Sequence, residues 1–491
     1  MTAAANTAAN TPANTHRVII EPVTRVEGHG KVSLFLDDAG KVHRARFHVV
    51  EFRGFERFVQ GRPYWEMPVL VQRLCGICPV SHHLAAAKAL DQIVGARSLT
   101  PTAEKLRRLM HYGQMFQSHA LHFFHLASPD LLFGFDADPA VRNVIGVAAE
   151  HPDLAKQGVL MRKYGQELIK ATAGKKIHGT GAIPGGVNKS LTAAERDFFL
   201  QDIEQMLAWA KSALALCRRY TEEHLEALQG FGSFASSHLS LVRSDGAMDF
   251  YDGALRAIDS GGKKLLDGVA PARYLDVVRE EVRSYSYMKF PFLSALGPKD
   301  GWYRVGPLSR VNTCDFIDTP AAEAERRRFK ALANGGPVQT TMAYHWARMI
   351  ELLHAAEKIR ELLDDRDILG NDLVVTGGER QSEGVGIIEA PRGTLFHHYR
   401  VDEHDQVTMA NLIVSTTSNN EGINRSVQEV ARRFFDGRKI TEGLFNRIEV
   451  AIRAYDPCLS CATHALGRMP LQILAFGPDG QEIDRVERLV A

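Results

Sequence analysis

The chain has 491 residues, 45% of them hydrophobic and 24% charged, with a formal net charge of +1 at pH 7. That length and apolar fraction can bury a large core, and the even charge balance gives no electrostatic case for nucleic acid or an anionic membrane as partner. No apolar run approaches the ~20 residues that span a bilayer. The six cysteines are too few for a disulfide framework, which fits a reducing compartment.

Residues 1–15 are uncharged and low in complexity, without the basic start and apolar core of a secretory signal, and read as a disordered extension. Val18 to Ile20 begins a strand. Alternation over Lys31–Leu36, a turn at Asp37–Gly40 and a second run over Val42–Val50 predict a hairpin. Leu84, Ala87, Leu90 and Val94 recur at helical spacing, and Leu106, Leu109, Gly113, Phe116 and Ala120 share one face of a long helix from Thr100 to Ala127. The Gly/Pro loop over residues 175–190 only superficially suggests a phosphate cradle. Val187-Asn188 stands where Lys-Ser/Thr would follow, so no nucleotide site is visible. Thr192 and Glu195 form a capping box ahead of a helix that carries Phe199, Ile203, Met206, Ala210 and Cys217, so Cys217 reads as core filling. A further long helix spans about residues 339–365. Strands follow at Asp372–Thr376 and Val385–Ile388, then a helix at 420–436. The last stretch, Ala465–Ala491, holds a hairpin around Gly477–Gly480.

Two cysteine pairs organise all of this. The first lies in Arg73-Leu74-Cys75-Gly76-Ile77-Cys78-Pro79-Val80-Ser81-His82, the second in Asp456-Pro457-Cys458-Leu459-Ser460-Cys461-Ala462-Thr463-His464. Thiolates two residues apart reach one ion, and four of them suit zinc, iron–sulfur or a thiophilic transition metal. A zinc ribbon places its pairs roughly 15–20 residues apart, whereas these lie at opposite ends of the chain. The whole fold must therefore close before the site exists, which argues for one interlocked unit. The first pair precedes a helix, whose N-terminus favours thiolate over thiol.

Both motifs, in this order and at these ends, resemble those of the large subunit of [NiFe]-hydrogenases, most like the soluble NAD-reducing bidirectional group. Further stretches carry the resemblance: Arg25-Val26-Glu27-Gly28-His29, Arg53-Gly54-Phe55-Glu56, Gly306-Pro307-Leu308, Ala390-Pro391-Arg392-Gly393-Thr394-Leu395 and Val414-Ser415-Thr416-Thr417. The implied fold is α+β and mainly α, a large helical core with small peripheral β-hairpins and sheets, with residues 16–464 as the catalytic domain. The resemblance implies Cys75 and Cys458 as terminal nickel ligands, and Cys78 and Cys461 as bridges to an iron carrying CO and two cyanides. His82 would hydrogen-bond a bridging sulfur, Thr416 a cyanide, and Arg392 would stand over the open side of the metals. Glu27 would shuttle protons from Cys458. Glu56 and His464 would bind magnesium, and residues 465–491 would be removed during maturation, after His464. The histidines at 119, 122 and 125 would pack around the core rather than bind metal, and His83, without a counterpart, would lie at the surface. Two departures stand out, Ser118 for a common Asp and Ser415 for a common Pro.

No cysteine remains for an iron–sulfur cluster, so electrons must leave through partners. The resemblance implies a small subunit with an iron–sulfur cluster, diaphorase subunits that bind flavin (FMN) and NAD, a maturation protease, nickel-insertion proteins and a cytoplasmic location. The alternatives are a large subunit from another soluble group with a different electron acceptor, and a zinc-stabilised scaffold. The quinone-site subunit of respiratory complex I shares the fold but lacks the cysteine pairs.

Overall fold

The computed structural model describes residues 16–21, 23–49, 54–283, 285–286, 288–435, 441–459, 471–476 and 482–488. The expected extension at 1–15, Cys461 and His464 lie outside them. The N-terminal alternation becomes three antiparallel strands, β1 (His16–Glu21), β2 (Gly30–Leu36) and β3 (Val42–Val49). Val32, Leu34, Phe47 and Val49 bury their side chains inward.

Cys78 caps α1 (Pro79–Ile93), with Pro79 in the first turn, where its missing N–H is not needed. Thr100 caps α2 (Pro101–Leu121) by accepting a hydrogen bond from the Ala103 N–H. This helix was expected to continue to Ala127. Instead, residues His122–Ala127 widen into a π-helical turn beside Pro129, whose missing N–H removes one α-helical bond. Helices α3 (Pro152–Ala173) and α4 (Ala193–Glu223) follow, the latter opened by the Thr192–Glu195 capping box as expected.

The middle of the chain, featureless as sequence, forms a four-stranded sheet of β4 (Ser237–Val242), β5 (Ala254–Ile258), β6 (Lys264–Val269) and β7 (Tyr303–Arg304). Its order is β7-β4-β5-β6, with β7 parallel to β4. Helix α5 (Ala343–Asp364) is buried on nearly every side and packs on α2 and α4, forming the axis of the core.

The strand expected at 372–376 is not one. The segment only pairs briefly with the Gly/Pro loop, through Val187 N to Leu373 O at 3.0 Å and Val375 N to Gly185 O at 2.9 Å. Gly377 and Gly378 then turn the chain away before a ladder can form. Strands β8 (Glu383–Ala390), β9 (Gly393–Val401) and β10 (Val407–Ile413) make an antiparallel sheet whose first strand lies against α1. That contact needs glycine, since a Cβ on Gly386 would sit 2.0 Å from the Ala85 carbonyl oxygen. Helices α6 (Asn420–Phe434) and α7 (Glu442–Ala454) lead to the second cysteine pair. Beyond it, β11 (Leu471–Phe476) and β12 (Glu482–Arg488) form the expected hairpin, and β11 adds to β1, giving a sheet of order β12-β11-β1-β2-β3.

Candidate metal centre

Three cysteines from the two ends of the chain meet. Cys75 Sγ lies 2.9 Å from Cys78 Sγ and 3.0 Å from Cys458 Sγ, too far for a disulfide. Among the described residues this is the group of metal-ligating side chains whose donor atoms converge. The first turn is held from α2, where Gln114 and Gln117 both donate to the Ile77 carbonyl at 3.0 and 2.9 Å. Cys458 is held from the other side, its N–H donating to Thr416 Oγ1 at 3.0 Å. Because that bond uses Thr416 as acceptor, the hydroxyl proton stays available to a further acceptor.

A helix N-terminus is expected to favour thiolates. The N–H groups of Ile77 and Cys78 do point at Cys75 Sγ, at 3.4 and 3.2 Å. Crowding nevertheless outweighs them. Hydrogen bonding to Cys458 pulls the Cys78 thiol down, but the Cys75 sulfur and burial carry it well above its ordinary value. Cys458 is pushed well up by its bonds to Cys75 and Cys78 and then by burial. Three sulfurs this close, two of them on buried cysteines and one on the half-buried Cys458, share their negative charge only around a cation, and the soft donor set fits a thiophilic transition metal.

Glu27 is buried beside Cys458. The two residues pair as a parallel bridge, and the Leu459 N–H donates to the Glu27 carbonyl at 2.9 Å. The stretch before it is pinned by Arg25 to Asp130 at 2.5 Å and by the Thr24 N–H to Glu449 at 2.6 Å. Arg392 sits in the turn between β8 and β9, the sheet on which α1 is seated. Its Nε donates to the Asp456 carbonyl at 2.6 Å and its Nη2 to Asp456 Oδ1 at 3.1 Å, while its buried Nη1 has no partner among the described residues. Burial opposes its charge, but Asp456 and then Cys458, Cys78 and Cys75 hold the guanidinium firmly protonated. Asp456 itself takes a left-handed backbone, φ 52°. A second buried arginine, Arg348, donates to the Ala454 carbonyl at 3.0 Å. Two guanidiniums thus clamp the segment that delivers Cys458, which sequence reasoning missed because Arg348 is distant in the chain.

His82 is buried, with its Nδ1 3.1 Å from His397 Nε2, and His397 Nδ1 lies 2.7 Å from the Tyr399 hydroxyl. His83 is a correction. It is buried rather than at the surface, its Nδ1 2.7 Å from the Pro68 carbonyl and its Nε2 accepting from the Ala182 N–H at 2.9 Å. This ties α1 to the Gly/Pro loop. His119 faces Glu351 at 3.0 Å and His122 the Arg453 carbonyl at 2.8 Å, both contacts within the protein. Ser118 is buried and its hydroxyl has no partner among the described residues. Ser415 replaces the common proline with a bond to the Gly393 carbonyl at 2.7 Å, tying its loop to the Arg392 turn.

Glu56 stands apart from the sulfurs in a carboxylate pocket. Leu412 N–H donates to it at 3.0 Å, and Lys289 Nζ lies 3.3 Å from both its oxygens and 3.3 Å from Glu280. Glu280 Oε1 is buried without a partner among the described residues. Two carboxylates and an unpaired buried oxygen fit a hard cation.

This chain belongs to the nickel-dependent hydrogenase family, whose sequence profile matches residues 53–143 and 238–464, and a HoxL-like profile matches residues 17–52. It is the large, catalytic subunit of a [NiFe]-hydrogenase. Over 486 residues it is 50% identical to the beta subunit of the NAD-reducing hydrogenase HoxS of Cupriavidus necator, covering 96% of this chain and 99% of that one. It is 42% identical to a subunit of the F420-non-reducing hydrogenase of Methanothermobacter thermautotrophicus, over 96% and 100% of the two chains. A solved NAD+-reducing [NiFe]-hydrogenase in the H2-reduced state superposes with a TM-score of 0.89 at 57% identity, covering 92% of this chain and all of the solved one. The [NiFeSe]-hydrogenase of Dm. baculatum, 23% identical with a TM-score of 0.71, shares the fold.

Proposed function

We propose that the chain splits dihydrogen reversibly and heterolytically, and that partner subunits pass the electrons to NAD+. The convergence of Cys75, Cys78 and Cys458 from opposite ends of the chain carries this reading. Cys75 and Cys458 would hold nickel, and Cys78 and Cys461 would hold it together with an iron carrying CO and two cyanides. When bound, that centre supplies the electrophilic site at which dihydrogen is polarised.

The protein residues supply the rest. The Cys458 sulfur takes the proton, and the adjacent Glu27 carboxyl receives it for export toward solvent. Arg392, held protonated against Asp456, stabilises the negative charge that develops on the open side. Thr416, whose hydroxyl proton is free, donates to a cyanide nitrogen, and His82 donates to a bridging sulfur. Glu56 and His464 would hold magnesium. Removal of residues 465–491 after His464 completes the subunit, with a maturation protease and nickel-insertion proteins as transient partners. Its lasting partners are a small subunit bearing an iron–sulfur cluster and diaphorase subunits that bind FMN and NAD. The match to NAD-reducing relatives over nearly the whole chain supports this choice of acceptor. No described helix is long and apolar enough to cross a membrane.

Elemental analysis with infrared spectroscopy on the purified, processed complex tests the site. Equal nickel and iron at this centre, with CO and cyanide bands, is the expected result. Stoichiometric zinc without those bands, from cells competent in hydrogenase maturation, overturns the reading. NADH formation under H2 by the same complex tests the acceptor.

A further inference from the structure

Behind the first cysteine pair, three side chains form an unbroken buried line that no step above uses in full. Helix α1 supplies His82, and β9 supplies His397 and Tyr399, two residues apart and so on one face of the strand. The contacts are 3.1 Å between His82 Nδ1 and His397 Nε2, and 2.7 Å between His397 Nδ1 and the Tyr399 oxygen. The three residues are 2%, 0% and 0% exposed. Burial so deep leaves no water to take up a misplaced proton, and the line can therefore be counted.

Burial holds the His82 imidazole down to about 4 and that of His397 well below its ordinary value, while it pushes the Tyr399 phenol well up. At neutral pH each ring therefore carries one N–H and the phenol keeps its own proton. Each contact accommodates one proton. Among the described residues Tyr399 has no hydrogen-bond partner other than His397 for its hydroxyl. Were His397 Nδ1 to carry the proton, the phenol O–H would be left buried with nothing to donate to, a costly arrangement. The phenol therefore donates to His397 Nδ1. That places the His397 proton on Nε2, where it is donated to His82 Nδ1, and so places the His82 proton on its own Nε2.

We propose that Tyr399 is a positioning residue that, acting through His397, fixes His82 as the Nε2–H tautomer and so presents a donor on the ring edge opposite β9 to a metal-bound thiolate. The Cys75 sulfur and the Arg392 guanidinium both act on His82, in opposite senses, which places that ring beside the sulfur pocket. The inference rests on the nickel–iron reading of the site. A histidine bound to a metal-site partner is commonly oriented from its far side in this way. Here the orienting group is a neutral phenol two links away rather than a carboxylate. A neutral orienter sets the tautomer without adding negative charge to a pocket already crowded with sulfur. A hydrogen bond to the thiolate withdraws electron density from it, so less reaches the iron and its CO stretch rises.

Neutron diffraction from crystals of the assembled, deuterium-exchanged complex reads the protons directly. Deuterium on the Tyr399 oxygen, His397 Nε2 and His82 Nε2 is expected, and deuterium on His397 Nδ1 overturns the proposal. Tyr399→Phe, which removes one oxygen and keeps the shape, tests the consequence. Its complex is expected to show the CO band at lower frequency than the parent, with no further shift when the change is added to His397→Gln. Unmoved bands in Tyr399→Phe, or shifts that simply add, overturn it. A parent complex without CO or cyanide bands would instead remove the nickel–iron reading, and the neutron map would still decide the tautomer chain.

Discussion

The sulfur pocket and the carboxylate pocket solve the same problem in opposite ways. Both gather negative or potentially negative groups from segments far apart in the chain. At the carboxylates the protein brings its own cation, with Lys289 midway between Glu56 and Glu280. At the sulfurs Arg392 is paired with Asp456, and the Cys78 and Cys458 thiols end well above their ordinary values through the Cys75 sulfur and burial. The contrast teaches that the sulfur pocket is built to be completed by a metal, whereas the carboxylate pocket is already partly balanced. Changes in the first should therefore abolish function, and changes in the second should only loosen it.

The sharpest way to break this contrast is Cys458→Ser. A hydroxyl is a hard, protonated ligand where a soft thiolate is needed. Nickel per chain should fall to near zero and H2-dependent turnover should be lost; retained nickel would show that the remaining sulfurs suffice. Glu27→Gln keeps the shape and removes the exchangeable acid, so nickel should stay full while turnover drops by about 10²–10⁴-fold. Arg392→Lys keeps the charge but loses the paired bonds to Asp456, and turnover should fall by about 10²–10³-fold with the metals still bound. Gly386→Ala acts on the scaffold alone. Its methyl group would collide with the Ala85 carbonyl, lifting α1 from β8, and overpacking of this kind destabilises by roughly 1–3 kcal/mol. Denaturant unfolding measures that loss, and a parallel fall in nickel retention would show that this seating sets the sulfur geometry.

Much of this was legible because its signals are local. The spacing within each cysteine pair, the capping box at Thr192 and the hairpin periodicities depend on neighbours in sequence. Long amphipathic helices such as α4 are likewise local. What escaped depends on contacts across the chain. His83 is polar and adjacent to His82, and only the packing of α1 against the Gly/Pro loop buries it. Val374 and Val375 have strand chemistry but lack a neighbouring strand. The left-handed Asp456 and its clamp by Arg348 and Arg392 join residues from three separate elements. His397 and Tyr399 did leave a trace, since they alternate on β9 five and seven residues beyond Arg392. A period-two reading of that strand aims both at one side, although nothing in the sequence says that His82 waits there.

The mildest prediction sharpens the comparison from the side of the carboxylates. Glu56→Gln removes one negative charge from a pocket that still holds Glu280 and Lys289, and the Leu412 N–H can bond the amide oxygen in place of the carboxylate. Glu56 is about one-third exposed, so its ion pair with Lys289 is screened and the loss should be at most about 1 kcal/mol. Nickel content and turnover should change little. Magnesium separates the two possible balances. If a hard cation joins Lys289 in the pocket, a chelator should lower the melting temperature of the parent complex and leave that of Glu56→Gln almost unmoved, since a neutral amide is a poor ligand for magnesium. Equal sensitivity of both proteins would place the cation elsewhere. Indifference of both would mean that Lys289 alone balances the two carboxylates, making the contrast with the sulfur pocket one of kind rather than degree.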